Sequence, residues 1–179
     1  MYYFTKYASP TGPITLVCEG DKLAGLWFDG ERYFMDTVTG PITERDGLPI
    51  LDAAKNWLDR YFAGEKPAIP ELPLSPAGNE FRRMVWDILN EIPYGEVTTY
   101  GEIAKQMAAK MGKGRMSAQA VGGAVGHNPI SIIIPCHRVV GAGGNLTGYG
   151  GGIHRKIKLL ELEGVDMSRM FTPKKGTAL

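Results

Sequence analysis

A thiol, an imidazole and a guanidinium stand side by side in Cys136-His137-Arg138, with Pro135 before them. Ile132-Ile133-Ile134 leads in and Val139-Val140 leads out. A cysteine in an apolar run is ordinarily a small core residue. Neighbouring cations change that expectation, because positive charge favours thiolate over thiol and the thiolate is the nucleophile. Pro135 fixes its own φ and biases Ile134 toward extended backbone, so the approach to Cys136 is stiff. The flanks read as buried strand, and a polar break inside such a run is expected where chemistry is done. Nucleophilic catalysis needs a base for the thiol proton and a further group to hold that base in its tautomer. His137 is the candidate base. Neighbours on a strand face opposite ways, so Cys136 and His137 can cooperate only on a turn or through a water. Glu163, just past the apolar face of the last predicted helix, is the candidate orienting carboxylate; it reads equally as a solvated helix-end acid.

The elements that must position these groups fall into two parts. Residues 2–8, 13–19 and 23–28 alternate as three strands joined by Ser9-Pro10-Thr11-Gly12 and Glu19-Gly20-Asp21. Cys18 lies in the second strand and reads as core. From Pro49, Ile50, Ala54, Trp57, Leu58 and Tyr61 share a helical face, and Gly64 ends it. Pro67 to Pro76 reads as a stiff extended connector and places a domain boundary there, giving domains 1–75 and 76–179. Beyond it, Phe81, Met84, Val85, Ile88, Leu89 and Ile92 recur at helical spacing, with Asn79 as N-cap. Thr98 or Thr99 caps a second helix with Ile103, Ala104 and Met107 inward. Gly112-Lys113-Gly114 breaks the chain, and Ser117 caps a third helix to about His127. That layout is a helix-turn-helix. A glycine-dense loop over 141–152 precedes a last helix, Ile153 to Leu162, and residues 165–179 read as a frayed polar tail. The fold class expected is α+β: a small N-terminal antiparallel sheet with a helix, then a mostly α domain holding the helix-turn-helix.

Charge and composition narrow the function. Residues 1–75 carry eleven acidic and seven basic residues, which leaves +5 for the remainder of a chain of formal net charge +1. Two cysteines make no disulfide framework and point to a reducing cytoplasm. Three histidines, with no CxxC or HxxxH spacing, suggest no metal site, and no cofactor motif is present. No apolar run is long enough for a membrane span, and no secretory leader is expected. From Ala104 to Asn128 the only charged residues are Lys105, Lys110, Lys113 and Arg115. The third helix, Ala118-Gln-Ala-Val-Gly-Gly-Ala-Val-Gly126, holds three glycines, each costing about 1 kcal/mol relative to alanine in a helix interior. They imply close backbone approach, either to another helix or to a sugar-phosphate wall.

Pro135-Cys136-His137-Arg138-Val139 resembles the acceptor-cysteine signature of the O6-alkylguanine-DNA alkyltransferases. The resemblance extends through Ala120-Val121-Gly122-Gly123-Ala124, Asn128-Pro129, Gly151-Gly152 and Leu159 to Gly164, covering about residues 80–165, and residues 1–75 only in layout. It implies one-time transfer of an alkyl group from O6-alkylguanine, and possibly O4-alkylthymine, in double-stranded DNA to Cys136. It further implies a relay of Cys136, a water, His137 and Glu163, with Asn128 buttressing the cysteine segment and Tyr100 as donor to the departing guanine. Val139 and Tyr149 would line the base pocket. The third helix would enter the minor groove, placing Arg115, Ser117, Ala118, Gln119 and Ala120 against DNA while the lesion is flipped out. The family carries an arginine where this chain has Gln119, which adds no charge to the wedge. A monomer is expected. The competing readings are a non-catalytic alkyltransferase-like module that grips damaged DNA, and a cysteine hydrolase; Cys136 argues against the first and the lack of a nucleophile-elbow pattern against the second.

Overall fold

The computed structural model describes residues 1–173. The first three strands form where the alternation places them: β1 (Tyr2–Ser9), β2 (Gly12–Glu19) and β3 (Lys22–Phe28) make an antiparallel meander. A further strand, β4 (Ile42–Glu44), pairs parallel with β1, so the order is β3-β2-β1-β4. Three residues give too short an alternation to read. Helix α1 (Pro49–Phe62) starts on a proline and buries Ile50, Leu51, Ala54, Trp57, Leu58 and Tyr61.

The proline-rich stretch is not a free connector. It makes a 3-10 turn at Ile69–Glu71, buries Leu72, and runs beside β3, where Leu23 N donates to Pro73 O and Ser75 N to Leu23 O. Proline stiffness suits the edge of a sheet as well as it suits a linker. Contacts divide the chain into two compact units, and the first is discontinuous: Met1–Gly78 together with Pro129–Ile133. The returning segment is held by backbone bonds, Leu26 N to Pro129 O and Ser131 N to Leu26 O. The buried Glu31 carboxylate adds to this, accepting from Phe28 N and, at 3.2 Å, from Ser131 Oγ.

The second unit comprises Asn79–Asn128 and the chain from Ile134 onward. Its first three helices are α2 (Glu80–Asn90), α3 (Tyr100–Lys110) and α4 (Ala118–Gly126). Each begins on a side-chain cap: Asn79 accepts from Arg82 N, Thr99 from Glu102 N and Ser117 from Ala120 N. Such caps contribute about 1 kcal/mol each. Trp86 ties α2 to α4 by donating Nε1–H to Ala124 O at 2.9 Å. Strand β5 (Thr98–Thr99) pairs parallel with β6 (Val139–Val140), and α5 (Ile153–Leu162) closes the unit. Residues 165–173 are ordered, in contrast to the expected fraying. Phe171 exchanges backbone bonds with Gly144 and Leu146, and Met167 and Met170 pack on Val140, Leu146 and Leu160. The rest of the expected tail, 174–179, lies outside the described residues. No helix among the described residues is long and apolar enough to cross a membrane.

Candidate active site

The run before Cys136 is buried but is not strand, as the apolar pattern suggested. Ile133 N donates to Ser131 O around Ile132, whose φ is +70°, a left-handed value unusual for a β-branched residue. Pro135 follows with φ −81° and ψ 63°, and Cys136 N donates to Ile134 O across it, an inverse γ-turn. Residues Cys136–Arg138 then form one 3-10 turn before β6. Apolarity reported burial, while a residue without an N–H could not continue a ladder. Cys136 and His137 therefore share one turn instead of facing opposite sides of a strand.

The 3-10 turn directs each side chain differently. His137 is fully buried, and its Nε2 lies 2.5 Å from Glu163 Oε2. Glu163 is the C-cap of α5, at the negative end of the helix dipole, where a carboxylate needs compensation. Arg138 supplies it: Nε donates to Oε1 at 2.7 Å, Nη2 to Oε2 at 3.2 Å, and Nη1 to Ile92 O at 2.7 Å. Gly95 N donates to the same Oε1 at 3.2 Å. Gly95 has φ +82°, and a Cβ there would stand 3.0 Å from Glu163 O, so glycine is required on both counts. The guanidinium read from sequence as support for the thiolate is thus committed to the carboxylate.

These contacts set the protonation states. Burial disfavours the Glu163 charge, but the hydrogen bonds and charges of His137 and Arg138 outweigh it and hold the carboxyl well below its usual range. For His137, burial pushes the imidazolium down; Glu163 pulls it up, and the Arg138 and Lys156 charges push it down again. The ring is neutral and the carboxylate ionised, because Arg138 already provides the cation. Nε2 therefore carries the proton and donates to Glu163, leaving the basic lone pair on Nδ1. Nδ1 is buried and has no hydrogen-bond partner among the described residues.

Around this pair, Asn128 Nδ2 donates to Ile134 O at 2.8 Å and so braces the γ-turn that precedes Cys136. The β5–β6 pairing sets Thr99 opposite Val140, fixing the start of α3, and with it Tyr100, against the exit of the cysteine turn. Tyr100 OH donates to Thr147 O at 3.1 Å, with Gly148 O at 3.4 Å. Burial, and then the nearby Cys136, push its phenol far up, so it remains a proton-bearing donor. Gly148 has φ +74°, and a Cβ there would come within 2.6 Å of the Tyr100 hydroxyl. Val139 and Tyr149 are buried beside the same turn and loop.

Residues 80–165 match the family described as 6-O-methylguanine DNA methyltransferase, DNA binding domain, and residues 2–76 match its ribonuclease-like domain. The chain belongs to the 6-O-methylguanine DNA methyltransferase family. A methylated-DNA–protein-cysteine methyltransferase of Mycolicibacterium paratuberculosis is 55% identical over 155 residues, 87% of this chain and 88% of that one. One of Haemophilus influenzae is 40% identical over 161 residues, 90% and 86% of the two chains. Among solved structures, Mycobacterium tuberculosis O6-methylguanine methyltransferase is 43% identical, with TM-score 0.76 over 98% of this chain and 97% of that one. The Mycobacterium tuberculosis OGT in complex with DNA gives 44%, TM-score 0.78 and 94% of each chain.

The residues read as DNA contacts in this methyltransferase-family chain lie apart from the thiol's neighbours, on the start of α4 and the connection before it. Arg115, Ser117, Ala118, Gln119 and Ala120 are all exposed. With Lys105 and Lys113, Arg115 and Ser117 border an open groove of about 920 Å³ between α3 and α4. Of the α4 glycines, Gly123 and Gly126 have nothing within 4 Å of an added Cβ, and Gly122 meets only the Tyr100 ring at 3.9 Å. Packing inside the unit therefore does not require them.

Sequence reasoning missed one residue of the site. Lys156 is fully buried, and its Nζ donates to Val139 O at 2.5 Å and to Thr147 O at 2.8 Å. Its signal was there to find: it lies between Ile153 and Leu160 at helical spacing, a charge on the apolar face of α5.

Proposed function

We propose that Cys136 is the acceptor in a methylated-DNA–protein-cysteine methyltransferase reaction on O6-alkylguanine, as the family's name describes. The observation that carries this is one turn holding Cys136 next to a buried His137 whose Nε2 lies against the Glu163 carboxylate. His137 Nδ1 takes the thiol proton through a water. The thiolate attacks the alkyl carbon in line, forming the S–C bond as the C–O6 bond breaks with its electron pair going to the guanine. The guanine gains one proton as the thiol loses one, so the sum is thiol plus O6-alkylguanine giving thioether plus guanine. Tyr100 is the donor toward the departing base, exchanging its bond to the Thr147 carbonyl for one to the guanine. Asn128 keeps the turn in place, and Val139 and Tyr149 wall the base. A thioether is not hydrolysed under these conditions, so each molecule reacts once.

A side chain in this turn cannot reach guanine O6 within a stacked pair, so the base is flipped out. The face of α4 that carries Gln119 suits the minor groove: it is exposed, made of small residues, and flanked by Lys113 and Arg115. In this reading residues 76–179 do the chemistry and bind DNA, the protein acts as a monomer in the cytoplasm, and residues 1–75 have a supporting role without chemistry of their own. The test is transfer of a labelled methyl group from duplex DNA containing O6-methylguanine. One equivalent per protein molecule, reached without turnover, is the expected result. Label released as methanol with continuing turnover would favour a hydrolase, and tight binding without label transfer a recognition module.

A further inference from the structure

A buried ammonium without an acidic partner demands an explanation. Lys156 is fully buried on α5, and both of its hydrogen-bond acceptors are backbone carbonyls. Glu163, the carboxylate of this cluster, is occupied by three donors from Arg138 and Gly95 and by His137. With His137 neutral and Cys136 a thiol, the cluster holds two cations, Arg138 and Lys156, against one anion, and Arg138 is committed to that anion; moving the thiol proton to His137 leaves the sum unchanged but creates a second anion for Lys156 to face. A low-dielectric site does not tolerate an unbalanced charge; it either sheds the proton or acquires a counter-charge.

We propose that Lys156 is the counter-charge of the Cys136 thiolate and the positioning residue that holds the acceptor turn against the glycine-rich loop. This rests on the reading of Cys136 as acceptor. The geometry supports both parts. Val139 lies directly after the cysteine turn, and its carbonyl is pinned by Lys156. The other carbonyl that Lys156 holds, Thr147 O, is the one that accepts the Tyr100 hydroxyl, so one ammonium ties the acceptor turn, the loop and the donor together. Other titratable or charged groups of the cluster are Cys136, His137 and Arg138 on the turn, Tyr100 on α3 and Glu163 at the end of α5. Of these, Cys136 pulls the Lys156 ammonium up, while burial, the larger effect, pushes it down to about 8. The pull is reciprocal: the charge that a thiolate favours also favours the thiolate. Alkylation turns the thiolate into a neutral thioether, so Lys156 loses its counter-charge in the same step.

Lys156→Met keeps the length of the side chain and removes the charge; Lys156→Arg keeps the charge and changes the shape. In a Cys18→Ala background, the pH dependence of Cys136 labelling by iodoacetamide is followed, alongside benzyl transfer from free O6-benzylguanine. Lys156→Met is expected to move the labelling curve to higher pH and slow both reactions about tenfold at pH 7, with recovery at pH 9. Lys156→Arg is expected to keep the curve and lose benzyl transfer, since a guanidinium does not fit between the two carbonyls. A labelling curve unchanged in folded Lys156→Met overturns the proposal. A version needing no Lys156 variant uses the wild-type protein with ¹⁵N-labelled lysine. The Lys156 ammonium should titrate near pH 8 before reaction and lower once Cys136 carries a benzyl group. An unmoved midpoint also overturns it. Labelling and lysine titration report on Lys156 whether or not Cys136 is the acceptor from DNA, so the two claims fail separately.

Discussion

The chain carries two buried cysteines in two regions that treat a thiol in opposite ways. Cys18 lies in β2, opposite Tyr3 on one side and Leu23 on the other. Burial pushes its thiol up, against a smaller opposite pull from a backbone hydrogen bond to Tyr3. Cys136 lies on a turn with an imidazole beside it and two buried cations within the same cluster. Both are buried, Cys18 at 0% exposure and Cys136 at 6%, so burial alone does not separate an inert thiol from a reactive one. What separates them is whether the fold supplies a base and a counter-charge.

The sharpest way to break the contrast is to remove each thiol in turn. Cys136→Ala should abolish alkyl transfer while leaving DNA binding intact, because the exposed face of α4 is a different surface. Cys18→Ala should transfer at the wild-type rate and lose at most a little stability from the small cavity. Transfer assays and gel shifts on both variants decide it, and a folded but inactive Cys18→Ala alone would reverse the assignment.

A second approach makes the surroundings of Cys136 resemble those of Cys18. His137→Ala or Glu163→Gln should slow transfer about 10²–10⁴-fold, the range for losing acid–base assistance. Raising the pH should partly restore both, since hydroxide then generates thiolate. Equal rates for wild type and Glu163→Gln from pH 6 to 9 would take Glu163 out of the mechanism. Truncating Arg138 should act mainly on stability, at about 3–5 kcal/mol, because it leaves the Glu163 charge buried with less compensation.

The His137–Glu163 pair also gives the protein an acid-sensitive stability that rests on buried groups. His137 has its folded pKa pushed below the unfolded value of about 6.5. Below that pH the unfolded chain binds a proton that the native state refuses, so stability falls as pH drops, by up to about 1.4 kcal/mol per unit. Glu163, held low in the fold, adds the same sign at more acid pH, its contribution being lost as pH falls below about 4.3. Urea titrations at pH 7 and 5 should show the loss in wild type and a smaller one in His137→Gln. Equal losses in the two would mean that His137 is protonated in the native state.

The smallest effects belong to the groove face. Gln119→Arg should tighten duplex binding and steepen its salt dependence by at most about one counterion's worth of slope. Gln119→Ala should slow transfer from duplex more than from single strands, and leave free O6-benzylguanine unaffected. Wild-type duplex rates in Gln119→Ala would pass the wedge to a neighbour such as Arg115.

Most of the scaffold was legible because its periodicities are long: β1 to β3 and α1 to α5 fall within a residue or two of their expected bounds, caps at Asn79, Thr99 and Ser117 included. Three things were not. A β4 of Ile-Thr-Glu has no period to detect, and the proline run beside β3 is held by backbone bonds that carry no side-chain signature. The lead-in to Cys136 looked like strand because an apolar run records burial without recording geometry; the turns come from Ile132 and Pro135. In the site, Cys136, His137 and Glu163 stand out by residue type and Asn128 and Tyr100 only through the family resemblance, and the structure sets His137 on Glu163, Asn128 on Ile134 O before the turn and Tyr100 on Thr147 O. Which cation serves which anion was not readable. Arg138, two residues from the thiol in sequence, turns to Glu163, and Lys156, twenty residues from it, occupies the place the sequence had given the guanidinium. Adjacency along the chain is a poor guide to partnership when the intervening backbone turns.

On this mechanism Cys136, and not Cys18, becomes the thioether. Wild-type protein is mixed with duplex DNA containing one O6-methylguanine, then digested and its peptides weighed. A gain of one methylene's mass is expected on the peptide containing Cys136, at one equivalent, with the Cys18 peptide unchanged. A methylated Cys18 peptide, or restored guanine in the DNA with both cysteine peptides unmodified, would contradict it.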